Sequence, residues 1–151
     1  MDETEITIHT GRQSIIMLDA ITMIDALQIA GIRSFSDEPL YAGLEALAQL
    51  GAFHARHITA FDRHVFLLKI EHCRIPVAGT LTGEYTFSGE LVNRSDTAFY
   101  YRLAAEKTGQ AAFSGEFLFA SSEYDRKYVR DTLRAHYEKT FLCLLKDIKP
   151  A

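Results

Sequence analysis

Two polar side chains interrupt an otherwise apolar stretch of the chain, and their types and spacing suit acid–base chemistry. Glu45 and Gln49 lie in the segment 40–53, where nearly every other residue is apolar or small. They are four residues apart, so on a helix one side chain lies above the other on the same face. A carboxyl group among apolar neighbours can exchange a proton with a bound substrate, and an amide one turn away can orient it. The alternative is a structural polar pair at an interface between subunits.

Tyr41 is a third polar candidate on this segment. It lies one turn before Glu45 on nearly the same helical face. Its hydroxyl group could donate a hydrogen bond to a ligand. The alternative is that the ring packs in the core, as aromatic residues on buried helices usually do.

The element that carries these residues is predicted to be a helix over residues 39–58. Pro39 suits the first helical turn, and Ser36 or Asp37 could serve as the N-cap, with acidic residues near the positive end of the helix. A helix that is apolar on nearly all faces must be enclosed by other elements.

The elements that could enclose this helix have strand periodicity. Two short strands are predicted before a polar break at residues 34–39, and longer strands joined by tight turns follow the helix. Residues 111, 113, 115, 117 and 119 share one face of the final strand. The predicted strands cover residues 14–19, 26–33, 65–70, 84–92, 97–106 and 111–119.

The C-terminal segment, residues 121–145, is predicted to be an amphipathic helix with Ser122 as its N-cap. The element order predicts an α+β fold, in which an antiparallel sheet wraps around one long buried central helix and a C-terminal amphipathic helix is added. We expect a single domain over residues 1–151, with a core at about 11–120 and the last helix at about 122–145.

Composition narrows the function classes. The chain has 151 residues and a formal net charge of −4, which does not favour binding to nucleic acid or to anionic membranes. Its two cysteines, Cys73 and Cys143, are far apart, and the spacing of His and Cys does not predict a zinc site or any other metal or cofactor. The acidic start and the absence of a long apolar stretch predict a cytoplasmic protein with no membrane segment.

The residues of the helix also match a known family. The segment 39–49, with Pro39 followed six residues later by Glu45-Ala46-Leu47-Ala48-Gln49, resembles the central helix of the hot-dog 3-hydroxyacyl-[acyl-carrier-protein] dehydratases. Its Pro-x-x-x-Gly-x-Glu form is most similar to the dehydratase-like proteins of aryl-polyene clusters. Segments 12–19, 65–76 and 109–120 resemble, more weakly, the opening strand, the strand after the helix and the closing strand of that family.

The resemblance implies a hot-dog dimer that binds an acyl thioester, carried by an acyl carrier protein or coenzyme A, at the subunit interface. In such enzymes the helix glutamate, here Glu45, protonates the leaving hydroxyl of a 3-hydroxyacyl thioester. A histidine from the loop ahead of the helix removes the carbon-bound proton. A backbone N–H of the first helical turn, here at Leu40 or a neighbour, binds the thioester oxygen, and Tyr41 and Gly43 fall beside it.

This sequence departs from the family at the histidine. The segment 31–38 contains none, and no histidine lies between His9 and His54. His54 and His57 are expected to have surface or interface roles, and His64 and His72 to be exposed. Two alternatives therefore stay open: a thioesterase that uses Glu45, and a non-catalytic subunit whose relative supplies the histidine across a heterodimer. A homodimer is equally compatible with the sequence.

An acidic carrier protein would require a local basic patch. Arg63, Arg74 and Arg94 are candidates. The last helix offers a further basic side, which is either a docking surface or an ordinary solvated face: Arg126, Lys127, Arg130 and Arg134.

Overall fold

The computed structural model describes residues 17–124 and 127–145, with side chains from residue 131 onward in the second range. The elements in chain order are β1 (Ala20–Ile24), β2 (Gln28–Pro39), α1 (Leu40–Ile58), β3 (His64–Arg74), β4 (Thr80–Arg94), β5 (Ala98–Lys107), β6 (Gln110–Ser122) and α2 (Lys127–Leu145). The strands form a six-stranded sheet in the order β1-β2-β4-β5-β6-β3, and each neighbouring pair is antiparallel. This confirms the predicted α+β arrangement.

The apolar residues of the long strands alternate in sequence because one face of the sheet packs on α1. Phe113, Phe117 and Phe119 of β6 are buried, as the alternation predicts, whereas Ala111 at the start of the strand is exposed. The same face includes the buried residues of β4 and β5: Leu81, Tyr85, Phe87, Leu91, Phe99, Tyr101, Leu103 and Ala105. The core therefore lies between α1 and the concave face of the sheet.

Two glycines let α1 approach the sheet closely. A Cβ atom on Gly51 would lie 2.8 Å from Cε1 of Phe119, and one on Gly43 would lie 2.5 Å from Cζ of Phe113. Real Cβ atoms do not come this close to an aromatic carbon, because contacts between carbon atoms are optimal at about 3.5–4.0 Å. The phenylalanine rings of β6 therefore fill the space that side chains at these positions would otherwise occupy.

α2 covers the C-terminal half of α1. The ring of Phe141 lies 6.1 Å from that of Phe53, 5.2 Å from that of His57 and 5.3 Å from that of Phe61, measured between centroids. The guanidinium of Arg56 lies 3.8 Å from the ring centroid of Tyr137. Such a cation–π contact is strongest where water is excluded, and Arg56 is buried.

The chain ahead of α1 differs from the prediction. Residues 34–39, predicted to be a polar break, continue β2, whose ladder with β4 extends to the pair Pro39 and Thr80. Pro39 is the N-cap residue of α1 and not part of its first turn, and neither Ser36 nor Asp37 caps the helix. The polar residues suit a strand here because Phe35 points into the core while its neighbours face solvent.

The two ends of the fold also differ from the prediction. Residues 121 and 122 complete β6, so Ser122 is the end of a strand and not an N-cap, and Arg63 donates to the hydroxyl of Ser121. The predicted strand at residues 14–19 lies largely outside the described residues, and β1 begins at Ala20.

His54, on α1, is buried in the core of the protein, which corrects the expected surface or interface role. Its Nε2 is 2.8 Å from the carbonyl oxygen of Asp25 and its Nδ1 is 2.6 Å from the hydroxyl of Tyr101. A carbonyl only accepts, so Nε2 donates to Asp25 and Nδ1 accepts from Tyr101. Burial lowers the pKa of His54, so the neutral ring joins α1 to β5 and to the turn between β1 and β2.

We predict that Gly51→Ala destabilises the protein. Alanine is favoured over glycine in a helix by about 1 kcal/mol, but the added methyl group would collide with Phe119, and overpacking costs about 1–3 kcal/mol. Urea unfolding should therefore show a lower free energy of unfolding. In a Phe119→Leu background, which makes room for the methyl group, the same substitution should cost less. Equal or higher stability of the single variant would contradict the close approach.

We predict that His54 makes the protein less stable in mild acid. The pKa of an imidazole in the unfolded chain is about 6.5, and the pKa of folded His54 is lower. The contribution of His54 is therefore complete above the unfolded pKa and declines as the pH falls from there through the folded pKa. Unfolding free energies should fall more between about pH 7.5 and pH 5 for the wild type than for His54→Gln. His57→Gln, which keeps His54 and removes an exposed imidazole from the same helix, is the control and should retain the larger fall.

Candidate functional site

The outward face of α1 has a covered half and an open half. Phe53 and Arg56, which contact α2, are buried. Toward the N-terminus, Tyr41 is 55% exposed, and Glu45, Ala48 and Gln49 are partly exposed. The candidate residues of the helix are thus brought together on the half of α1 that α2 does not cover.

Glu45 lies at the boundary between core and solvent. It is partly exposed, and the apolar side chains of Leu44 and Ala48 beside it pack against the core. A carboxyl group in this position can reach a bound molecule while apolar surface excludes part of its water. This is the setting in which acid–base catalysis by a carboxyl group is effective.

Gln49 connects the open half of α1 to the chain that enters β1. Its Oε1 accepts a hydrogen bond from the backbone N–H of Met17 at 2.8 Å. Met17 and Leu18 are buried at this point. Gln49 therefore positions the entry to β1, which sequence reasoning did not indicate, and its predicted role in orienting Glu45 stays a prediction.

The N-terminus of α1 begins beside the open half. Pro39 makes no side-chain capping bond, and the first turn contains no acidic residue. The first N–H groups of a helix have no partner within the helix and lie at the positive end of its dipole. Leu40 is the first helical residue and is partly buried, while Gly43 lies against Phe113 and Leu81 of the sheet.

Asp37 and Glu38, predicted to be capping charges, are bound elsewhere. Asp37 has a positive φ of 53° in a β-bulge and accepts a hydrogen bond of 2.6 Å from Thr80 Oγ1. Glu38 pairs with Arg33 at 3.2 Å. These contacts hold the end of β2 against β4 and leave the start of α1 without an anionic cap.

The edge strand β3 borders the site with an apolar surface. Phe66 and Leu67 are each 39% exposed and Leu68 is 55% exposed. The register with β6 pairs Leu67 with the inward-facing Phe119, so Leu67 is on the side of the sheet that faces α1. Among the described residues β3 pairs only with β6, so its second edge is open.

The remaining histidines do not supply a base beside Glu45 within the described part of the chain. His57 is exposed and its ring stacks on Phe141. His64 is partly buried against Phe66 and Tyr124, which corrects its expected exposure. His72 is exposed, as expected, and pairs with Glu116 on β6. His9 lies outside the described residues.

Of the candidate docking cations, three have local partners. Arg63 bonds to Ser121, and Arg94 lies 5.2 Å from the ring centroid of Phe99. Arg74 is exposed at the end of β3. On α2, Arg134 pairs with Asp62 at 3.0 Å and Glu138 at 2.9 Å, so it anchors the helix. Arg126 and the side chains of Lys127 and Arg130 lie outside the described residues.

Neither metal binding nor membrane insertion has support in the described ranges. Within residues 17–124 and 127–145, no group of three His, Cys, Asp or Glu side chains could hold a metal ion. Neither helix in those ranges is long and apolar enough to cross a bilayer.

Comparisons with known proteins give structural matches only. No protein-family model matches the chain, and no curated protein sequence matches it. The structure is similar to thioesterase HI1161 from Haemophilus influenzae, with a TM-score of 0.63, 8% identity and coverage of 85% of this chain and 95% of that one. It is also similar to a mutant of thioesterase PA1618 from Pseudomonas aeruginosa, with a TM-score of 0.62, 10% identity and coverage of 82% and 96%.

A third similar structure is the dehydratase heterocomplex ApeI:P from Xenorhabdus doucetiae. The TM-score is 0.61 at 12% identity, and the match covers 78% of this chain and 89% of that one. At such low identity the likeness shows a shared fold. Together with the antiparallel sheet around α1, it establishes that this chain has the hot-dog fold.

Proposed function

We propose that this protein acts on acyl thioesters as a dehydratase-type hot-dog protein, removing water from a 3-hydroxyacyl thioester. The observation that carries the proposal is the position of Glu45. It lies on the open half of α1, one and a half turns after a helix start at which the N-cap residue, Pro39, makes no side-chain hydrogen bond. In the run Glu45-Ala46-Leu47-Ala48-Gln49, which resembles the dehydratase motif, Glu45, Ala48 and Gln49 are partly exposed on this half, whereas Ala46 and Leu47 are buried in the core.

In this reaction the C2–H and C3–O bonds break and a C2=C3 double bond forms. The carboxyl group of Glu45 protonates the departing hydroxyl, which leaves as water. Backbone N–H groups at Leu40 and Tyr41 would bind the thioester oxygen, where negative charge develops as the C2 proton is removed. Tyr41, largely exposed beside them, would contact the substrate, and Gly43 lets the helix start lie close to the sheet.

A second group must remove the C2 proton, and we propose that it comes from a partner subunit. The segment before α1 is a strand that contains no histidine, and the described histidines of this chain lie in other settings. One similar structure is a dehydratase heterocomplex. A heterodimer in which a related subunit contributes the histidine would complete the site; a homodimer would require another base.

The surface for such a partner is the open edge of β3. Exposed apolar edge strands promote uncontrolled association unless they are paired. Pairing β3 with the same strand of a second hot-dog subunit would continue the sheet and cover Phe66, Leu67 and Leu68. It would also bring the partner next to the open half of α1. The thioester would be presented there by an acyl carrier protein or by coenzyme A.

A thioesterase is the second candidate. The missing histidine favours it, because a single carboxyl group can activate water or attack a thioester carbon without a second base. Two of the similar structures are described as thioesterases. In this case Glu45 would activate the water that releases the free acid and the thiol.

We predict that Glu45→Gln abolishes turnover. The amide keeps the size of the carboxyl group but cannot exchange a proton, and general acid–base catalysis contributes about 10²–10⁴-fold. Mass spectrometry of short and medium 3-hydroxyacyl thioesters should show loss of water once the wild type is combined with the subunit that supplies the histidine, or with the wild type alone if its homodimer contains another base. Glu90→Gln, on the solvent side of β4, is the control. If free acid is released, the protein is a thioesterase and not a dehydratase. If a folded dimer forms no product, this chain has neither activity by itself.

We predict that Leu68→Glu weakens dimerisation. A carboxylate in the middle of the paired edge would have to be desolvated and would face the same charge on the second subunit. Analytical ultracentrifugation should show a dimer for the wild type and a shift toward monomer for the variant. Val92→Glu places the same charge on an apolar residue of similar exposure on β4 and should leave the dimer unchanged. A monomeric wild type would contradict the β3 interface for a homodimer.

A further inference from the structure

The connection between β3 and β4 passes the end of the sheet at which α1 begins. β3 is an edge strand, and β6 and β5 lie between it and β4, so residues 75–79 must cross two strands. The connection ends at Thr80, which pairs with Pro39, the residue immediately before α1. Ile75 packs against the core, whereas Val77 is fully exposed. This short segment therefore borders the helix start that the proposed function uses.

The start of the connection is irregular. The register between β3 and β6 shifts between Glu71 and Arg74, so the two residues between them lie outside the regular ladder. One of them, His72, has a φ of 50°. This left-handed conformation is uncommon for residues other than glycine, although histidine adopts it more often than most.

The contacts of His72 are on the neighbouring strands. Its Nδ1 bonds to Oε1 of Glu116 on β6, and Glu116 also accepts a hydrogen bond from the hydroxyl of Tyr100 on β5. We call these three residues the β3 cluster. It lies on the solvent side of the sheet, because the next residue of β6, Phe117, is buried against α1.

The charges around the β3 cluster have both signs. Glu71 on β3 pairs across the ladder with Glu116 and lies 3.4 Å from Lys69. Arg102 on β5 is opposite Glu116 in the ladder and pairs with Glu90 at 3.1 Å. Arg74, on the same strand, places a positive charge near His72. The hydrogen bond and the charge of Glu116 raise the pKa of His72, and His72 lowers the pKa of Glu116.

We propose that the β3 cluster is a pH-dependent latch: protonated His72, bound to Glu116, holds the irregular end of β3, from which the 75–79 connection leads to the N-terminus of α1, and deprotonation releases it. The geometry supports this because the bond joins an irregular edge strand to a regular inner strand, three residues before the connection begins. The latch rests on the proposed function in one respect: the connection that it holds leads to the proposed thioester site.

The direction of the pH response follows from the raised pKa of His72. A group whose folded pKa lies above its unfolded value contributes fully below the unfolded pKa and loses that contribution as the pH rises through the folded pKa. The connection should therefore be held at mildly acidic pH and released as the solution becomes alkaline. This response is opposite in sign to that of the buried His54.

Nuclear magnetic resonance of the full chain tests the latch without any substrate. The ring resonances of His72 and the backbone amide resonances of Val77 and Ala78 are followed as the pH is raised. In the wild type, the amides should shift with the same midpoint as the His72 ring. Glu116→Gln should lower that midpoint for the ring and the amides together, and His72→Gln should abolish the amide shift. Glu90→Gln, which lacks contact with His72, is the matched control and should titrate like the wild type.

Two results would overturn the latch: amides of the connection that titrate unchanged in His72→Gln, or amides that do not respond while the His72 ring titrates. Both results are independent of turnover. A protein that releases no product from any thioester would refute the proposed function and leave the resonance comparison intact. Conversely, an active enzyme whose connection ignores His72 would refute the latch alone.

Discussion

The whole structure depends on the enclosure of α1. Its side chains are apolar or small on nearly every face, so water must be excluded from most of its surface. The sheet can cover only one side, and it does so at close range because Gly43 and Gly51 leave room for the rings of Phe113 and Phe119. The long strands β4, β5 and β6 present alternating large residues to the helix for the same reason.

On the other side of α1, α2 covers the C-terminal half of the helix and leaves the N-terminal half uncovered. α2 packs Phe141 and Tyr137 on the C-terminal half, where even the arginine of the last turn is buried. The N-terminal half retains its two polar residues, Glu45 and Gln49, and an uncapped helix start. Gln49 is bonded to the backbone of Met17, so this half of α1 also holds the chain that enters β1.

The fold could be predicted from the periodicity of apolar residues, whereas the contacts between side chains depend on strand register, which the sequence does not show. The helix at residues 39–58 and the alternation in β4 to β6 follow from local spacing. The second strand was predicted too short because four of the five residues 34–38 are polar, and only the pairing with β4 shows that their backbone groups belong to a ladder. His54 and Tyr101 are 47 residues apart, and His72 and Glu116 are 44 apart. No local pattern predicts such pairs, because they depend on which residues of distant strands are placed opposite one another.

The same limit applies to the site. The motif around Glu45 could be identified from sequence because its residues are adjacent on one helix. A base on another subunit cannot be identified from this sequence. Only the surface that would bind that subunit belongs to this chain. The open apolar edge of β3 is such a surface. It is the same strand whose far end carries His72 and leads into the connection beside α1. The two proposals therefore concern one strand, so a partner that pairs with β3 would also restrict the segment that His72 is proposed to hold.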